Sequence, residues 1–189
     1  MTLSKLLAAF ALTAMPALAI AHPGHSGGLL AGASHPLGGL DHLLAMVAVG
    51  LWAAQQAGSA RWVLPCTFLT AMLVGGGLGF AGIAVPGLET GIAASVLALG
   101  LAVALALRPV LPLTVLITAA FALCHGMAHG LELPVMASAW SYAIGFIAAT
   151  ALLHAVGYAL VRWLPQAAAP LVRLTGVGAA IAGGYLLMA

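Results

Sequence analysis

Charge is what this sequence has least of. Three acidic and five basic side chains are spread over 189 residues, 4% of the chain, where a soluble domain carries about a quarter to cover its surface. That shortage excludes a conventional water-soluble globule. The few cations form no cluster, so there is no basic patch to receive nucleic acid. Only two cysteines occur, Cys66 and Cys124, both inside apolar runs. This argues against a disulfide framework and leaves each as a small buried hydrophobe. A P-loop is missing, so the chain does not itself hydrolyse a nucleotide. The stretch Gly77 to Gly82 spells G-x-G-x-x-G, but it follows no strand and has no acidic partner downstream. It reads as a helix-packing face, as do Gly75, Gly79 and Gly176. Period-two alternation is absent too, which excludes a membrane β-barrel.

What is present is apolar: 64% of residues, in runs of about 20 that each suffice to cross a bilayer as a helix. Lipid satisfies no backbone polar group, so the fold class is all-α, a polytopic membrane helix bundle. Residues 1–21 read as a cleavable signal peptide: Lys5, the apolar stretch Leu6 to Met15, then the small-residue sites Ala17-Leu18-Ala19 and Ala19-Ile20-Ala21. A His- and Gly-rich periplasmic leader, 22–34, carries His22 and His25. A six-helix transmembrane domain, 35–189, follows, with passes expected near 36–55, 62–84, 88–107, 110–131, 137–160 and 169–188.

A periplasmic mature amino terminus puts Arg61, Arg108, Arg162 and Arg173 all on the cytoplasmic side, as the positive-inside rule asks. Trp52, Trp62 and Trp163 then fall near the cytoplasmic boundary, and Trp140 and Tyr142 near the periplasmic one. The expected location is the bacterial inner membrane, and the oligomeric state is left open.

An ionisable residue within a membrane helix costs about 2.5–3.5 kcal/mol, so it normally faces a partner or a pathway. Here such residues concentrate in two places. The first is His35-Pro36-Leu37-Gly38-Gly39-Leu40-Asp41-His42. Pro36 suits a first helical turn. On one helix, His35 and His42 share a face about 9–10 Å apart in depth. Asp41 either binds metal from a bent helix start or holds a histidine tautomer. The second is His125-Gly126-Met127-Ala128-His129-Gly130-Leu131-Glu132, where His125, His129 and Glu132 stand at i, i+4 and i+7 on one stripe.

Gly126 and Gly130 leave room beside them for a helix or an ion. Gly126 also occupies the place of the glutamate in the zincin H-E-x-x-H, so that hydrolase motif is absent. Glu89 opens the third pass and brings the last acidic residue to the same periplasmic half. Imidazoles with carboxylates suit borderline divalent ions and disfavour magnesium or calcium. The candidate metal residues are therefore His35, Asp41, His42, Glu89, His125, His129 and Glu132, with Met46 and Met127 read as packing. His154 is alone and deep. For it, structural hydrogen bonding and a role on an exit path stand equal.

The two motifs, H-P-x-x-G-x-D-H and H-G-x-A-H-G-x-E, resemble the signatures of the HupE/UreJ family of nickel and cobalt permeases. The resemblance spans the signal peptide, the His-rich leader, the passes and the glutamate opening the third. It implies uptake of nickel or cobalt in the service of metalloenzymes such as hydrogenase and urease, while the donor chemistry keeps zinc as a further candidate. It nominates His35, Asp41 and His42 from the first motif and His125, His129 and Glu132 from the second. Cys124 departs from the pattern, since an aromatic is expected there.

No catalytic residue and no catalytic cofactor is expected: the partners are a divalent metal substrate and the lipid bilayer. Two other classes stay open, an intramembrane metal-binding enzyme and a non-transporting metal sensor. A di-haem carrier fits the carboxylate-rich surroundings poorly.

Overall fold

A computed structural model of the chain describes residues 27–132 and 138–189. The expected signal peptide, His22 and His25 lie outside the described residues. Every long regular element among them is a helix: α1 Gly27–Gly38, α2 Leu40–Gln55, α3 Ala60–Phe80, α4 Leu88–Ala104, α5 Leu111–Leu131, α6 Ala139–Trp163 and α7 Ala169–Leu186. A 3-10 turn, Gln166–Ala168, leads into α7.

Helices α3, α5, α6 and α7 with its 3-10 entry are each long and apolar enough to cross a membrane. The pair α1 and α2 passes the same test jointly, but is bent by 86°. Helix α4 is apolar and 17 residues long, at the short end of the spanning range. Large apolar side chains point outward all round, among them Leu73, Leu116, Ile144, Leu152 and Ile181. In water such a surface would drive association; against lipid tails it is the matching solvent. The chain is a multi-pass membrane protein.

Small residues decide which helices touch. Helices α3 and α5 run side by side in the same direction, because a Cβ on Gly126 would strike the Met72 carbonyl and one on Gly130 the Gly76 carbonyl. The space expected beside those glycines is thus filled by α3. Gly75 and Gly79 lie against Leu123 and Met127 of the same interface, and Gly176 lies against Gly100 and Ala104 between α7 and α4. Gly77 faces open space, so of the G-x-G-x-x-G stretch only Gly79 has this packing role. Helix α1 lies along the first half of α6 through Gly32 against Tyr142 and Gly145 against Leu29. Helix α2 crosses the second half of α6.

Four local expectations change. Pro36 stands in the last turn of α1 instead of opening a helix. It removes only the bond to residue 32, and the chain then breaks at Gly39, which is extended (φ −108°, ψ 125°). Because of that bend, His35 and His42 do not share one face of one helix. Trp52 is 2% exposed and donates from Nε1 to the Leu107 carbonyl at 2.8 Å, so it closes the end of α4 instead of meeting lipid. Gln56 donates to the same carbonyl at 2.9 Å and Gln55 to the Val103 carbonyl at 3.1 Å. These bonds tie carbonyls at and just past the end of α4 to the end of α2. Tyr142 is likewise buried, whereas Trp140 and Trp163, near the two ends of α6, are exposed.

Candidate metal centre

The bend at Gly39 builds the site. Helix α2 starts afresh at Leu40, and Asp41 lies in its first turn, where a negative charge complements the free amides. Asp41 Oδ1 accepts from the His42 backbone N–H at 2.8 Å and lies 2.9 Å from His42 Nδ1. An ionised carboxylate only accepts, so Nδ1 carries the proton and Nε2 keeps its lone pair. That nitrogen is buried and has no partner. Of the two roles open to Asp41, the geometry matches the tautomer-holding one.

Helix α5 supplies the other wall. Its last turns carry His125, 0% exposed, and His129, 3% exposed, on one stripe as the i, i+4 spacing requires. Ser95 of α4 donates its hydroxyl to the Ile92 carbonyl at 2.6 Å, and its oxygen lies 2.7 Å from His125 Nε2. With its one proton engaged, the serine oxygen accepts from Nε2–H. This leaves the lone pair on Nδ1, which has no partner. Both nitrogens of His129 are also buried and, among the described residues, unpartnered. Buried polar atoms are nearly always satisfied in native structures. A neutral imidazole keeps one lone pair, so His42, His125 and His129 bring three such lone pairs to one spot.

The rings form a chain. Centroids are 4.7 Å apart for His35 and His129, 4.2 Å for His129 and His42, and 4.8 Å for His42 and His125. Two groups of three ligand atoms result, each with all members within 4.8 Å of one another: His42, His125 and His129, and His35, His129 and Glu132. Two nitrogens on one ion are at most about 4.2 Å apart, twice a bond of about 2.1 Å. Small ring rotations therefore close either group. His129 belongs to both. In the first group His125 and His129 are buried and His42 is partly so, while Glu132 is exposed and meets His35 Nε2 at 3.3 Å.

Glu89 sits in the first turn of α4, exposed, and joins neither group. The structure thus brings together five of the seven nominated residues as donors, sets Asp41 behind His42, and leaves Glu89 at the rim. Ser95 was not foreseen. A serine in an apolar helix reads as ordinary packing, and only its placement opposite His125 gives it a role.

The family profile described as HupE / UreJ protein matches residues 9–186. The chain belongs to the HupE/UreJ family. It is 44% identical over 190 residues to Protein HupE of Rhizobium leguminosarum bv. viciae, with all of both chains covered. No solved structure matches the chain. The full-length match to a HupE/UreJ relative agrees with the two motifs on which the resemblance rested.

Proposed function

We propose that this protein is a permease that takes up a divalent transition metal, nickel or cobalt, across the bacterial inner membrane. In this reading a cleaved signal peptide leaves the amino terminus periplasmic, and six passes follow, with the bent α1–α2 pair and the short α4 each serving as one. All four arginines then face the cytoplasm.

The observation that carries the reading is the sharing of His129 between a half-exposed and a buried donor group. His35 and Glu132 capture the hydrated ion at the mouth. His129, which belongs to both groups, hands it to His42 and His125. Imidazole with one carboxylate suits nickel, cobalt or zinc and disfavours magnesium or calcium. The negative-inside potential favours entry of a doubly charged ion by about 4–5 kcal/mol per 100 mV.

The test is uptake of radiolabelled nickel and cobalt into proteoliposomes by wild type and His129→Ala, with zinc as competitor. Loss of an outer-shell partner alone costs about 10–100-fold in affinity, and His129 is a shared direct donor, so its loss is expected to exceed that. Binding without uptake by the wild type would instead identify a sensor. Hydrolytic activity without transport would identify an enzyme.

A further inference from the structure

Among the described residues, His154 is the one histidine outside both donor groups. It lies on α6, about 22 Å along from Ala139 at 1.5 Å per residue, and is 3% exposed. Neither of its ring nitrogens has a hydrogen-bond partner among the described residues. Among the described residues no group fills the structural hydrogen-bonding role, one of the two open to it from sequence. Thr150, one turn nearer the mouth, has its hydroxyl committed to the Phe146 carbonyl at 2.9 Å and to Met46 Sδ at 3.4 Å. Leaving a polar ring so buried and unpaired is costly, and an apolar residue would fill the space without that cost.

The position explains the exception. The ring of Phe68, 0% exposed, lies 5.8 Å from that of His125 and 5.1 Å from that of His154. The Phe68 ring thus packs against both the buried donor group and His154. Met46, wholly buried, offers a thioether sulfur one turn of α6 away. We infer that His154 is a further ligand for the divalent ion, an inner transit station that receives it from His125 past the Phe68 ring. This rests on the permease reading. One imidazole with a nearby thioether is a thin donor set for an ion of the nickel or cobalt class. Thin suits transit, since a conducted ion must bind well enough to enter and weakly enough to leave.

The experiment compares wild type, His154→Phe and His154→Gln. Nickel binding is measured by equilibrium dialysis on purified protein, and nickel uptake in proteoliposomes. Phe fills the volume without a donor; Gln keeps polarity without an imidazole. Binding is expected to stay within about twofold of wild type, while maximal uptake falls at least about tenfold in both variants, a loss in the transfer step and not in capture. Wild-type uptake with equal uptake by His154→Phe overturns the station and leaves the permease standing. Binding without uptake by the wild type overturns the permease and the station with it. Binding lost in both variants, as in His129→Ala, makes His154 a support of the outer centre and also overturns the inference.

Discussion

Replacing Ser95 by alanine tests whether a neighbouring helix sets the chemistry of the centre. In the native chain the serine oxygen, 2.7 Å from His125 Nε2, holds that nitrogen protonated because its own proton goes to the Ile92 carbonyl at 2.6 Å. Without it, His125 is wholly buried with no acceptor for either tautomer. The preference that exposes the Nδ1 lone pair toward His42 and His129 disappears. The unsatisfied N–H costs about 1–3 kcal/mol of stability, and metal affinity falls by about 10–100-fold, the range for an outer-shell partner of a ligating histidine. The same loss from Asp41→Asn is expected to be smaller, because the asparagine oxygen can still accept from Nδ1. The assay is isothermal titration of purified protein with nickel, paired with a thermal melt. A Ser95→Ala affinity equal to wild type, in a protein that still requires His125, would refute the argument that this hydrogen bond selects the ligating tautomer.

Glu89→Gln is expected to raise the nickel concentration for half-maximal uptake at low salt, with the difference vanishing at high ionic strength. The exposed carboxylate attracts cations to the mouth without joining a donor group; a deficit that persists in high salt would make it a ligand. Gly126→Val drives a side chain into the Met72 carbonyl, and overpacking of this kind costs about 1–3 kcal/mol or more; an unchanged melting temperature would contradict the α3–α5 packing. Protons compete with metal for imidazole lone pairs, so nickel binding is expected to weaken progressively as pH falls. An affinity that does not change with pH while the protein stays folded would count against histidine ligation.

Legibility followed the range of each interaction. The membrane class and the helical state were plain from hydropathy, because lipid compatibility is a property of a single run of residues. The pairing of His125 with His129 was equally plain, being fixed by the rise of one helix. Boundaries shifted modestly, with α3 ending at Phe80 and α4 at Ala104. Trp52 and Tyr142 escaped the pattern because a boundary residue faces lipid or protein according to helix rotation, and rotation is set by neighbours. Glu89 was grouped with the ligands on depth alone, and depth does not say which way a first-turn side chain points.

The sequence alone determined the ingredients: an apolar chain, two motifs of imidazoles and carboxylates, and membership of a family those motifs announce. Tertiary structure decided how they meet. Close contact of Gly32 and Gly145 between α1 and α6, together with the break at Gly39, folds the first motif so that His35 and His42 reach the same ring, His129, from two different helices. Opposition of α4 to α5 gives Ser95 its histidine, and the Phe68 ring packs against both His125 and His154. Each depends on helix crossings between residues far apart in the chain, and periodicity within a segment carries no information about those.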